Sequence, residues 1–331
     1  MLFPAHVEAL RVEMVERVWK ESTVVGPLPE LMCDIMAYIP KPALTLDCPM
    51  EEIIIKEKPD FFFANGGIVY GVFNTPDQVY VEQISPPGNC VDLVRNTYRE
   101  VWYNATYYYD ADAGRLYVLR EGGGYAKHHH YIHEGVYLLE YDVKARRVVR
   151  KSTSANFQAM TIFPQRMAVI GGHVFLAVEW YNSNGEVLYA DPEGRVNVIW
   201  HAVDGDFEFD GLHPVSASPL TLDVIYSKGG ACHSVRLEMT RPAAPIMFKE
   251  TCASCIPELG AFGGGILIAG FSTRCSFYDS RLRKLSSASC MPRDPEFRSI
   301  QTDRYGNIYL LIERYINNKR SFRVLFASPY I

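Results

Sequence analysis

The feature that most restricts what this chain can become is a turn that keeps returning. A glycine, any residue, an aliphatic residue and then an apolar or aromatic one occur at Gly66-Gly67-Ile68-Val69, Gly114-Arg115-Leu116-Tyr117, Gly172-His173-Val174-Phe175, Gly264-Gly265-Ile266-Leu267 and Gly306-Asn307-Ile308-Tyr309. The intervals are 48, 58, 92 and 42 residues. Because 92 is twice 46, a further copy is expected near residue 218, where Ser218-Pro219 leads into the strand-like run Leu220-Thr221-Leu222-Asp223-Val224-Ile225-Tyr226. The glycine is missing there, but its place in the period is kept.

Repeats of roughly 40 to 50 residues built from strand signals are the mark of propeller blades, each a four-stranded antiparallel sheet. Within the units, the hairpins at 136–151, 186–200 and 275–287 share a corner of the Tyr-Asp type before an outer strand. With 21 Tyr, 17 Phe, 24 Gly and 20 Pro, the composition also favours short strands joined by turns. Residues 66–331 make six units, and the last offers only three candidate strands, 298–303, 307–314 and 321–327. A ring of sheets must close or expose an edge. The segment Glu51-Glu52-Ile53-Ile54-Ile55-Lys56-Glu57 has the length to supply the missing strand. The expected fold is therefore all-β: a six-bladed β-propeller over 49–331, closed by an N-terminal strand and preceded by a short two-helix segment at 1–48.

The period and the Gly-x-Ile-Tyr turns resemble those of the β-propeller superfamily, loosely its Kelch and NHL-like kinds, over about residues 50–331. The blade signatures of WD repeats, sialidases and receptor propellers are absent, so the resemblance implies a fold and no particular chemistry.

Topology says where a site would lie. In a four-stranded blade, the second-to-third strand loops and the blade-to-blade connections emerge on one face, and the Gly turns on the other. The first face is expected to carry 121–134, 181–185, 201–214, 250–258, 291–297 and 315–320 as loops. Binding residues concentrate in loops on a rigid scaffold. Tyr131, Tyr181, Arg293, Arg314 and Tyr315 are the expected anchors, since aromatic and arginine side chains carry most interface energy.

The same rim holds His128, His130 and His133, which read either as metal-binding imidazoles or as contact and packing residues. Asp206, Asp210 and His213 read as an acidic or irregular cation centre, or as a solvated loop. An EF-hand is excluded: starting from Asp206, the twelfth position is Ala217, where a bidentate glutamate is required. Cys252 and Cys255 have the spacing of a redox pair or half a zinc site, but no second pair or thioredoxin-like unit accompanies them. No serine elbow, phosphate loop or zinc-protease motif is present, and no cofactor is expected.

Residues 5–20 place Val7, Leu10, Met14 and Val18 on one side of a helix, and a second helix is expected over 31–39 after Gly26-Pro27-Leu28-Pro29. Residues 28–40 resemble the first helix of an F-box. That resemblance implies a ubiquitin-ligase adaptor as partner, facing Leu28, Pro29, Leu31, Ile35 and Ile39. A rival resemblance, to a SOCS box, uses Leu10, Met14 and Val18 followed by Pro27-Leu28-Pro29. A plain helical cap on the propeller fits the same pattern.

A net charge of −5 gives no footprint for nucleic acid or an anionic membrane. The N-terminus lacks a secretory core, and no apolar run approaches the roughly 18 residues of a membrane helix, so a soluble, cytoplasmic protein is expected. The sequence thus points to a non-catalytic interaction protein that takes a protein or peptide partner on one face. An enzyme or carbohydrate-binding propeller with a metal or acidic centre is the alternative, and a structural subunit of a larger assembly a third reading.

Overall fold

The computed structural model describes residues 51–65, 68–75, 77–85, 87–95, 104–125, 131–153, 164–179, 185–191, 196–202, 207–239, 245–253, 259–269, 275–288, 296–303, 308–316 and 319–327. The two expected helices, with Leu10, Met14, Val18, Leu28, Pro29, Leu31, Ile35 and Ile39, lie outside them. Every regular element among the described residues is a strand.

Among the described residues, twenty-four strands form six four-stranded sheets. The closing strand is β1 (Glu51–Ile55). Blade 1 is β2 (Phe61–Asn65), β3 (Ile68–Asn74), β4 (Gln78–Ser85) and β5 (Cys90–Arg95); blade 2 is β6 (Ala105–Asp110), β7 (Arg115–Tyr125), β8 (Tyr131–Asp142) and β9 (Arg147–Thr153). Blade 3 is β10 (Arg166–Ile170), β11 (His173–Glu179), β12 (Gly185–Ala190) and β13 (Val196–Ala202); blade 4 is β14 (Phe207–Ala217), β15 (Leu220–Lys228), β16 (Ala231–Met239) and β17 (Pro245–Ala253). Blade 5 is β18 (Leu259–Gly263), β19 (Ile266–Ala269), β20 (Cys275–Asp279) and β21 (Lys284–Ala288). Blade 6 has β22 (Glu296–Thr302), β23 (Ile308–Ile316) and β24 (Lys319–Ala327), and β1 pairs antiparallel with β24, from Glu51 opposite Phe326 to Ile55 opposite Phe322. The sheet edge that the sequence left open is closed by the segment expected to close it.

The turn expected near residue 218 joins β14 to β15 through a cis Ser218–Pro219 bond. Gly171-Gly172, Gly229-Gly230 and Gly264-Gly265 all have positive φ, as tight two-residue hairpins require. The middle pair joins β15 to β16, so it stands on the loop face rather than among the repeated turns.

Burial follows radius. The second strands are sandwiched between neighbouring blades and are buried on both sides, as in β11, His173–Glu179, whose five central residues are all buried. They read as continuous apolar runs for that reason, whereas outer strands carry charge and leave Val149 and Val198 exposed. Between blades 1 and 2, Phe63 stacks on Tyr109 at 4.4 Å and Phe61 on Tyr107 at 5.6 Å. Between blades 3 and 4, Trp200, Phe207, Phe209 and Tyr226 form an aromatic knot. Each fully buried ring of this kind adds about 2 to 3 kcal/mol.

The seam between blades 4 and 5 is built differently. Its apolar cluster has four buried residues, Ile225, Cys232, Leu267 and Leu282. A polar network stands beside it: Asp223 accepts from Arg236 Nε at 2.7 Å and Nη2 at 2.8 Å, and from Ser280 Oγ of the next blade at 2.7 Å.

Candidate functional site

The six innermost strands surround a central channel of about 1220 Å³. Each begins at the loop face and ends at the turn face, so residues early in β10, β14 and β22 frame the loop-side mouth. These include Arg166, Glu208, Asp210 and Arg298, together with Asp60 just before β2.

The sequence expected 201–214 to be a rim loop, but strand β13 runs on to Ala202 and strand β14 starts at Phe207. From Phe207 onward the chain is strand β14, because Phe207 and Phe209 alternate with Glu208 and Asp210 and bury their rings in the blade 3–4 core. Asp210 and His213 therefore line the channel. The hairpin expected as loop 315–320 is also strand on both sides, with Tyr315 directly opposite Arg320. Strands β7 and β8 likewise run into the histidine loop, as far as Tyr125 and from Tyr131.

Asp210 sits where the β14–β15 register shifts between Phe209 and Gly211, a bulge that re-aims the side chain. The bulge is fastened from blade 3. Glu179 Oε1 accepts from the Phe209 amide at 2.7 Å, and Arg166 Nε donates to the Asp210 carbonyl at 3.1 Å. Burial pushes the Asp210 carboxyl up to about 6, against the opposing effect of the hydrogen bond from Ser227 Oγ to Oδ2 at 2.8 Å. His213 packs edge-on to Phe262 and against Gly265 of blade 5. Asp210 and His213 are thus engaged by different neighbours.

Among the described residues, no group of three or more His, Cys, Asp or Glu is arranged to hold a metal. His128, His130 and Asp206 lie outside them, as do Tyr181 and Arg293. Tyr131 and His133 open β8, opposite Tyr125 and Gly123.

The loop-face end of blade 6 brings two expected anchors onto one strand. Tyr315 is 61% exposed, and Arg314 beside it is half-buried. The partners that hold Tyr315 were missed from sequence. Arg320 Nε donates to Tyr315 Oη at 3.1 Å and lies 3.3 Å from Glu313 Oε1. Glu313 is only 2% exposed, and its Oε2 accepts from Arg298 Nε at 2.8 Å with Nη2 at 2.7 Å. The signal was the alternation Glu313-Arg314-Tyr315, which puts the first and third on one sheet face, facing whatever the return strand presents.

No helix among the described residues is long and apolar enough to cross a membrane. No family model matches the chain, and no curated protein matches it. Solved structures do. A protein of unknown function from Dyadobacter fermentans is similar over 83% of this chain and 97% of its own, at 8% identity and a TM-score of 0.53. A luciferin-regenerating enzyme is 7% identical with a TM-score of 0.52, covering 84% of this chain and 96% of its own. An AofleA variant from Arthrobotrys oligospora is 11% identical with a TM-score of 0.51, covering 84% and 87%. At such identities the likeness establishes a shared propeller fold.

Proposed function

We propose that this protein is a non-catalytic recognition propeller that binds a protein or peptide partner across its loop face. The observation that carries the reading is Tyr315, a large aromatic side chain 61% exposed and braced by Arg320 on a buried Glu313. Exposed aromatic–arginine pairs held on rigid strands are the usual anchors of interfaces. Arg314 flanks this anchor, and the reading assigns Tyr131, Tyr181 and Arg293 to the same face on their sequence positions alone. The sequence pattern of residues 1–48 supports a second attachment, to a ubiquitin-ligase adaptor.

Affinity purification with mass spectrometry tests both parts. The full chain is compared with Tyr315→Ala and with a chain lacking 1–48 that keeps the closing strand. Partners lost only with Tyr315→Ala are those of the loop face; adaptor subunits lost only with the truncation establish recruitment. If Tyr315→Ala retains every partner, the loop-face reading fails.

Asp210 supports a second reading, a small polar ligand or substrate in the channel, since a carboxyl held near 6 beside a large cavity is a common sign of site chemistry. Metal content of the purified protein, together with ligand binding by Asp210→Asn, separates this from the first.

A further inference from the structure

The corner of blade 6 that holds Tyr315 also defines what it would hold against it. A guanidinium offers two edges for bidentate bonding, one through Nε and one through its two terminal nitrogens. In Arg320 the Nε edge is turned inward, donating to Tyr315 Oη at 3.1 Å and lying 3.3 Å from Glu313 Oε1. Among the described residues the terminal nitrogens of Arg320 have no partner, and its side chain is 67% exposed. Only the terminal edge is left to receive a ligand.

The corner gathers charged side chains from three strands, with Arg320 outermost. Arg298 takes the Oε2 of buried Glu313 through two nitrogens, and Glu296 of β22 stands directly opposite Glu313. The Arg320 guanidinium is the exposed charge of this cluster. Arg314 and Lys319 stand on the same two strands. The connection that leaves β1 beside them, Lys56-Glu57-Lys58-Pro59-Asp60, balances two lysines with two carboxylates, both of the latter exposed. The corner thus presents an exposed guanidinium outward on a chain whose net charge is −5.

Position is fixed by the sheet. Tyr315 and Arg320 are direct cross-strand partners, and Glu313 lies two residues back on the same face. The Arg320 guanidinium carbon lies 5.8 Å from the centre of the Tyr315 ring, so an apolar wall stands next to the open edge. Little ordering is left for binding to impose.

We propose, resting on the loop-face reading above, that this corner is a carboxylate-capture site for an acidic segment of a partner protein. The Glu or Asp side chain bonds end-on to the two terminal nitrogens of Arg320, while the neighbouring stretch of the segment packs on Tyr315. A planar carboxylate matches one guanidinium edge.

Fluorescence anisotropy with the full chain tests this, using fluorescein-labelled octaglutamate and octaglutamine as probes. Octaglutamate is expected to bind, more weakly as salt rises, and octaglutamine is not. Arg320→Gln is expected to weaken octaglutamate binding at least tenfold. Arg320→Lys, which keeps the charge and loses the fork, is expected to fall between. Tyr315→Ala is expected to weaken binding several-fold with its melting temperature unchanged, because the ring is at the surface, and Arg320→Lys, which keeps a charge beside Glu313, controls for any loss of stability in Arg320→Gln. The proposal is overturned if octaglutamate binds no tighter than octaglutamine, if Arg320→Gln binds like the parent, or if only a phosphoserine peptide binds. Should Tyr315-dependent partners still be captured in that case, the carboxylate preference is wrong and the recognition face stands. Binding of octaglutamate through Arg320, with no partner dependent on Tyr315, supports the capture site and removes the partner reading.

Discussion

Replacing Asp223 by alanine is expected to loosen the ring at the seam between blades 4 and 5. Asp223 is fully buried on β15, directly opposite Arg236 on β16, and accepts two hydrogen bonds from its guanidinium and one from Ser280 of blade 5. That hydrogen bond holds Arg236 more firmly protonated than usual, with burial opposing. Removing one partner of a buried pair costs about 3 to 5 kcal/mol, because the other charge is left behind. The Arg236 side chain is about one-third exposed and can be rehydrated in part, which puts the expected loss at the lower end, about 3 kcal/mol. The seam has few apolar contacts with which to compensate. Urea unfolding followed by tryptophan fluorescence should show the midpoint falling by about 1 M, for a slope of about 3 kcal/mol per M. Asp223→Asn keeps an acceptor for Ser280 and Arg236 and should lose less. Asp223→Leu with Arg236→Met removes both charges and should also lose less than the alanine variant. A loss below about 1 kcal/mol for Asp223→Ala, or a double variant no better than the single one, would refute the reasoning.

Three further perturbations test other parts of the fold. Because burial raises the Asp210 carboxyl to about 6, folding favours its neutral form; that advantage is complete below the ordinary value of 3.8 and is gone once the pH has risen past 6. Asp210→Asn, neutral throughout and still able to accept from Ser227, should be the more stable protein above pH 6 by about 2 to 3 kcal/mol, the gap closing towards pH 4 in urea titrations. Gly263→Ala places a methyl against the backbone carbonyl of Ile300 in the next blade, where nothing flexible can yield, and should lower stability by at least about 3 kcal/mol in thermal melts; Gly172→Ala, with open space but positive φ, should lose only about 1 kcal/mol. On the closing strand, Ile55 is buried with Phe62 and Val324 while Ile54 is exposed, so Ile55→Asp should open the ring to limited proteolysis and Ile54→Asp should not.

The fold was legible because its determinants are local and repeated. A tight turn needs residues that tolerate its dihedrals, and second strands buried on both faces need unbroken apolar runs, so turn and strand recur together at Gly114, Gly172, Gly264 and even at Ser218-Pro219. Blade closure was legible because a three-stranded last unit requires a fourth strand from somewhere. Strand β14 was misread as loop over 207–214 because its acidic residues, Gly211 and Pro214 outweigh a short Phe-x-Phe alternation. The site was legible only by residue type. Tyr315 stands out alone, but its brace joins Arg298, Glu313 and Arg320 from three strands, and the Glu313–Arg320 contact follows only when the hairpin register is known.

That register also separates the two attachments proposed for this chain. Strand β24 starts at the loop face with Lys319 and ends at the turn face with Ala327, and β1 runs antiparallel to it. Glu51 stands opposite Phe326, so whatever precedes residue 51 joins the propeller at the turn-face end of blade 6. Arg320 stands six residues away along the same strand, roughly 20 Å at the rise of a β-strand. The point where the segment proposed to hold an adaptor enters the propeller is thus at the other end of the blade from Arg320. The expected consequence is independence. Deleting 1–48 while keeping β1 should leave octaglutamate affinity within twofold of the full chain, and saturating octaglutamate should leave adaptor capture unchanged. A change of tenfold or more in either direction would mean that the two ends of blade 6 are coupled, and that the propeller does not hold its partners apart.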